Sequence, residues 1–174
     1  MKSKIKIFLF FILSFAFISC DRVTKDLAKE HLMNKGPASY FHDTLRLEYV
    51  ENTGAALSLG AGLPQPYNFL LLSLIPMLFL LALFIYAIMK IKGFDWIRVL
   101  AFALVFAGGA GNITDRVLFD RNVTDFMNLG IQNIRTGIFN VADVCITAGV
   151  AGLIFSYKNE KITSAKMNLD SNNV

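Results

Sequence analysis

Apolar positions in this chain collect into four long blocks separated by polar stretches, so the period to read is the width of a bilayer, not the turn of a surface helix. The first block follows Met-Lys-Ser-Lys-Ile-Lys and closes on Phe17-Ile18-Ser19-Cys20. A basic start, an apolar run and a cysteine also fit a cleaved signal peptide, even a lipoprotein one. Asp21-Arg22-Val23-Thr24-Lys25 continues at helical spacing, however, and three further blocks follow, which predicts a first spanning helix over about 4–25. The second, about 67–90, holds enough apolar residues from Asn68 to Met89 to cover ~30 Å, with Pro76 tolerated as a kink. Lys90-Ile91-Lys92-Gly93 marks a turn and Trp96 an interfacial anchor. The third, about 96–116, shrinks to Ala107-Gly108-Gly109-Ala110-Gly111 and turns polar at Asn112-Ile113-Thr114-Asp115-Arg116. The fourth covers about 138–157, and 158–174 reads as a mobile polar tail. Between the first two blocks, Leu45 to Val50 alternates as a strand does, Asn52-Thr53-Gly54 makes a turn, and Ala55 to Gly60 suggests a second strand before Pro64 and Pro66. The expected fold is an all-α membrane domain over 1–157: four helices with a small antiparallel β region, about 40–62, on the outer face.

Composition agrees: 55% hydrophobic residues and a mean hydropathy of +0.51 exceed the roughly 45–50% apolar content of soluble domains. The net charge of +4 raises the question of nucleic acid, and its placement answers it. Segments 1–8, 88–98 and 158–174 hold nine Lys/Arg against three acids, while the other polar segments hold eight Lys/Arg and nine acids. That is the positive-inside bias of a multi-pass protein with both termini cytoplasmic, and no nucleic-acid partner is expected. Cys20 and Cys145 sit in apolar runs, and no Cys/His spacing suggests a disulfide or a metal site. His31 and His42 have no ligand partners at useful spacing and read as surface residues.

The chemistry concentrates on acids. Asp143 heads the last apolar run, and a carboxylate at the centre of a spanning helix costs roughly 2.5–3.5 kcal/mol, so it calls for a function and a partner. Asp125, in the polar loop that feeds this helix, is the candidate partner; its competing role is to cap a short helix. Asn140 and Asp143 share one helix face, as do Asn112, Asp115 and Arg116. Two adjacent carboxyls cannot both ionise, so the ionised member takes a proton from water while the neutral one polarises a carbonyl. Such chemistry requires neither metal nor cofactor. The plainer readings are that Gly108 to Gly111 serves helix packing, that Asp21 and Lys25 form a helix-end ion pair with Lys25 snorkelling, that Arg116 pairs with Asp115 or Asp125, and that Cys145 is buried filler.

These residues carry a resemblance. Asp21-x-x-Thr24-Lys25, Asn52-Thr53-Gly54-Ala55-Ala56, Gly108-Gly109-Ala110-Gly111-Asn112-x-x-Asp115-Arg116, Val123-x-Asp125-Phe126 and Phe139-Asn140-Val141-Ala142-Asp143 resemble, in order, the motifs of lipoprotein signal peptidase, the type II signal peptidase of bacteria. The resemblance implies an aspartic endopeptidase of the inner membrane. It would cleave diacylglyceryl-modified prolipoproteins before the lipidated Cys, with Asp125 and Asp143 catalytic and the site near the extracytoplasmic face. It implies substrate-binding roles for Asn52, Gly54, Asn112, Arg116 and Asn140, and supporting ones for Asp21, Lys25, Gly108, Asp115 and Ala142. Prolipoproteins and membrane lipids are the expected partners, and a monomer the expected state. Arg22, where the family usually has Gln, and Leu57, where an aromatic is common, depart from the pattern. Competing classes are a metal-dependent lipid phosphatase or phosphotransferase, which wants a denser carboxylate cluster, and a transporter using Asp143 as a proton relay, which four spans without inverted repeats suit poorly.

Overall fold

The computed structural model describes residues 2–55 and 58–171, with side chains as far as residue 159. Among these residues, four helices are long and apolar enough to cross a membrane: Lys2–Leu32, Tyr67–Gly93, Trp96–Leu118 and Val141–Asn159. They are called the first to fourth helices below. The first runs past residue 25 to Leu32, because Lys25 to Leu32 contains no helix breaker, and stops where Asn34 adopts a left-handed φ of 62°. The kink expected at Pro76 takes the form of a π-turn over Leu70–Leu74. Pro76 offers no N–H to the carbonyl of Leu72, and its ring crowds the preceding turn, so the backbone widens there. The fourth helix begins at Val141, since Phe139 is held by the sheet, and continues to Ser171. No Gly or Pro interrupts 158–171, so the expected polar tail stays helical over that stretch.

The third helix is the central one, burying Val99, Ala101, Ala103, Val105, Ala107, Gly108 and Gly111. Phe10, Phe84 and Phe106 join the first three helices with ring centroids 5.2–6.1 Å apart. Towards the fourth helix the contact is backbone on backbone: a Cβ on Gly108 would lie 2.3 Å from the Ala142 carbonyl oxygen, and one on Gly149 2.7 Å from that of Ala101. Gly108→Val should therefore lower the unfolding temperature in detergent, by the ~1–3 kcal/mol typical of overpacking, and lower activity by shifting the start of the fourth helix. An unchanged melt would show that the two helices separate without cost.

The extramembrane sheet has the order β1 (Ala38–Tyr40), β2 (Leu45–Asn52), β3 (Val123–Ile131), β4 (Ile134–Arg135), antiparallel throughout. The strand expected at Ala55 to Gly60 is absent from its described part: Ser58 to Gly60 turn instead, with φ of 57° at Ser58 and 80° at Gly60, and Ala56 and Leu57 lie outside the described residues. The partner of β2 comes from the segment between the third and fourth helices. Asp125 is thus a strand residue and neither a loop residue nor a helix cap. Four residues of β2, Leu47 to Val50, span three of β3, Met127 to Asp125; this bulge bends β2 where it approaches the helices.

Candidate active site

The two acids are delivered by different elements that are stitched together. Phe139 exchanges backbone hydrogen bonds with Met127 at 2.8 Å each way, which brings Asn140 beside β3. Asn140 then caps the fourth helix: its Oδ1 accepts from the Asp143 amide (3.0 Å), and its own amide donates to Asp143 Oδ2 (3.1 Å). This is a reciprocal capping box, so the lone acid of the sequence pattern has a local structural job as well. Asp143 Oδ1 accepts from Asn112 Nδ2 at 2.9 Å, across from the third helix.

Asp125 is held by two amides. Asn140 Nδ2 donates to its Oδ1 (2.7 Å) and Asn52 Nδ2 to its Oδ2 (3.0 Å). Asn52 is fixed in turn, since its Oδ1 accepts from the Gly54 amide at 2.8 Å and its Nδ2 also donates to the Ala55 carbonyl. Asn140 links the two acids, and its Nδ2 also reaches Asn112 Oδ1 at 3.2 Å. Arg116 pairs with neither Asp115 nor Asp125; it donates to the Gly54 carbonyl at 2.8 Å and more weakly to that of Asn112.

Asp125 is 4% exposed. Burial pushes its carboxyl up to about 6 from 3.8, opposed by the Asn52 hydrogen bond and assisted by the Asp143 charge. A value raised in the folded state means that this group's contribution to stability is complete below about pH 4 and lost as pH rises through about 6. Between pH 4 and 7 the solubilised protein should melt lower as pH rises, and Asp125→Asn should flatten that slope; an unaltered slope would show that Asp125 is not the titrating group.

Both acids, with Asn52, Asn112 and Arg116, line a cleft of about 510 Å³. The rest of its lining is mostly apolar: Leu71, Leu72 and Pro76 of the second helix, Ile138 and Phe139 before the fourth helix, and Ile146 with Thr147 in it. The pattern of the sequence did not reveal this lining, because lipid-facing and cleft-facing leucines look alike. It also passed over Asn68, a buried residue donating weakly to the Thr53 and Gly60 carbonyls and so steadying the loop that carries Gly54.

Behind the cleft lies a second polar layer. Lys25 is fully buried and does not snorkel; its Nζ donates to Asp21 (2.7 Å), Asp115 (2.8 Å) and Asn112 Oδ1 (3.1 Å). Asp21 Oδ1 accepts from the Ala142 amide at 2.8 Å, and Asp115 Oδ2 from that of Thr124 at 3.3 Å. Asp115 is 1% exposed, outside the cleft and ion-paired, which sets its surroundings apart from those of Asp125. Gly108 and Gly111 let the helices approach closely enough for this layer to close, a Cβ at Gly111 falling 2.6 Å from Asp21 Oδ2. Among the described residues no set of His, Cys, Asp and Glu side chains is arranged to hold a metal.

A family profile described as Signal peptidase (SPase) II matches residues 13–158, most of the chain. The chain belongs to the signal peptidase II family. It is 36% identical over 158 residues to the lipoprotein signal peptidase of Chlorobium phaeobacteroides (strain BS1), covering 86% of this chain and 95% of that protein. To the lipoprotein signal peptidase of Thermodesulfovibrio yellowstonii (strain ATCC 51303 / DSM 11347 / YP87) it is 34% identical over 160 residues, covering 92% and 95%. A solved bacterial membrane enzyme, determined by the in meso method at 2.3 Å, superposes with a TM-score of 0.76 at 27% identity, covering 89% of this chain and 90% of that one. This signal peptidase II is accordingly a multi-pass membrane peptidase, and the four helices with a small antiparallel sheet agree with the expected fold.

Proposed function

We propose that this signal peptidase II is an aspartic endopeptidase in which Asp125 and Asp143 activate water between them. It removes the signal peptides of prolipoproteins, the activity its family and its relatives carry in their names. The observation that carries the mechanism is the pairing itself. Two acids from separate elements line one cleft, share Asn140, and have all four carboxylate oxygens held by amide donors. Asp125, pushed up to about 6, keeps the shared proton and directs it to the scissile carbonyl oxygen. Asp143 takes a proton from the water as the water oxygen bonds to the carbonyl carbon. Collapse of the tetrahedral intermediate breaks the C–N bond, the proton on Asp143 passes to the leaving amine, and Asp125 recovers its own.

Asn52, Asn112, Arg116, Asn140 and Gly54 are the substrate-binding residues: the first three line the cleft with amide and guanidinium groups suited to an extended peptide, the buried Asn140 holds both acids, and the Gly54 carbonyl holds Arg116. Asp21, Lys25, Gly108, Asp115 and Ala142 support them from behind. The apolar wall of Leu71, Leu72, Pro76 and Ile146 suits the lipidated, apolar side of the precursor, which would be cleaved before its diacylglyceryl cysteine. The charge bias supports cytoplasmic termini in the inner membrane, with the site towards the extracytoplasmic face. Contact with lipid beyond the helices is supported by the tip of the sheet, where Phe41, Ile131 and Ile134 are 77%, 72% and 85% exposed. The enzyme acts as a monomer and without a cofactor.

The test is cleavage of a diacylglyceryl precursor peptide beside its unlipidated twin, each with a chelator. Cleavage of the lipidated peptide alone, unaffected by the chelator, is expected. Loss of activity on chelation would favour the metal-dependent alternative, and equal cleavage of both peptides would remove the lipid from recognition.

A further inference from the structure

The buried layer behind the cleft has an unequal charge count unless one more residue is included. Asp21 and Asp115 face a single Lys25, all three almost completely inaccessible, which leaves one negative charge in excess. Arg22, one residue along the first helix, supplies the missing cation. Its guanidinium forks, one Nη donating to Asp115 Oδ1 at 2.9 Å and the other to Asp26 Oδ1 at 2.5 Å. Its carbon centre stands 4.9 Å from the Phe119 ring just past the end of the third helix, and its side chain is only 29% exposed. The other oxygen of Asp115 accepts from Lys25 and from the Thr124 amide, and Thr124 directly precedes Asp125. A continuous path of polar contacts therefore runs from Arg22 through Asp115 to the backbone that presents Asp125.

We propose that Arg22 is a positioning residue for peptide cleavage: through Asp115 it anchors the start of β3 where Asp125 is presented, and it completes the charge balance of the buried layer. This rests on the catalytic assignment of Asp125 and Asp143. In this chain, where Arg22 stands in place of the Gln usual in the family, the planar fork reaches Asp115 and Asp26 together while standing over Phe119, which a single point charge does not do. The charge acts together with the other groups around the site. Asp125 is faced by Asp143 of the fourth helix, Lys25 of the first and Arg116 of the third, and Asp115 by Asp21, Lys25 and Arg22 of the first helix, Arg116 of the third and Tyr49 of β2.

The experiment uses the full-length, detergent-solubilised enzyme and the diacylglyceryl precursor peptide, with Arg22→Gln and Arg22→Lys compared across pH. Arg22→Gln should lower kcat about tenfold with KM within about twofold, the signature of a misplaced group and not of lost substrate contact. It should also move the acidic limb of the kcat profile up by about half a pH unit, because a cation has been removed near the acids. Arg22→Lys should leave that limb at its wild-type position while restoring only part of kcat. A wild-type kcat and limb in Arg22→Gln, whatever its melting temperature, would reduce Arg22 to a helix staple and overturn the proposal. Should Arg22→Gln not fold, Arg22→Lys decides alone: full wild-type kcat overturns the requirement for the fork, and a several-fold loss with an unmoved limb supports it. Asp125→Asn run alongside separates the two levels. Turnover in that variant sinks the catalytic assignment itself, whereas an inactive Asp125→Asn beside a wild-type-like Arg22→Gln sinks only the role of Arg22.

Discussion

Asp143→Asn should reduce kcat by about 10³- to 10⁴-fold while the protein still inserts and purifies as a helical, monodisperse species. The substitution is nearly isosteric, and the amide oxygen still accepts one of the two bonds now made by Asn112 and the Asn140 amide. The other site then holds a donor facing a donor, so part of the capping box is lost, at about 1 kcal/mol. The helix can absorb that loss; the chemistry cannot, because an amide does not take a proton from water. Asp125→Asn should be equally inactive for the complementary reason that no proton is offered to the carbonyl oxygen. Turnover of the lipidated peptide, followed by mass spectrometry, is the measurement. Retained cleavage by either purified variant would overturn the assignment.

Lys25→Met should have the largest effect on stability. Lys25 is the hub of the buried layer, with no exposed surface and its three donors engaged by Asp21, Asp115 and Asn112. Removing the cation leaves two buried acids face to face across a space it formerly filled. Breaking a buried pair in this way costs about 3–5 kcal/mol, far beyond the ~0–1 kcal/mol of an exposed ion pair such as Arg121 with Asp120. A lowered unfolding temperature in detergent and a loss of cleavage are expected together, because Asn112 loses the partner that orients its Oδ1. Adding Asp115→Asn to Lys25→Met should recover part of the stability, since one of the stranded charges is then gone. Strict additivity of the two changes would show that Lys25 and Asp115 are not coupled.

The spans were legible because bilayer thickness imposes a length on apolar blocks that no soluble segment has reason to copy. The polar stripes were partly legible: Asn112 with Arg116, and Asn140 with Asp143, meet at the cleft, whereas Asp115, expected on the face of Asn112 and Arg116, turns behind it to Lys25. The sheet was half legible. Leu45 to Val50 alternates apolar and polar in sequence although all six are half-buried, whereas β3 is covered from Val123 to Phe126 and has no alternation to show. Its pairing with β2 is a contact across some seventy residues, which local pattern does not encode; hence Asp125 reads as a loop residue in sequence. The same limit applies to Lys25. A lysine near a helix end invites a snorkelling interpretation, and only the arrival of Asp21, Asp115 and Asn112 from two helices turns it inward.

The bond from the Ala142 amide to Asp21 closes a circuit between the first and last membrane segments, 121 positions apart. During synthesis the first helix is made long before the fourth, so this bond cannot form until the start of the fourth helix has emerged. The polar layer behind the cleft is therefore closed by the element that is made after the other three helices. Without the segment from Phe139 onward, β3 would lack the backbone partner of Met127 and Asp125 its bond from Asn140.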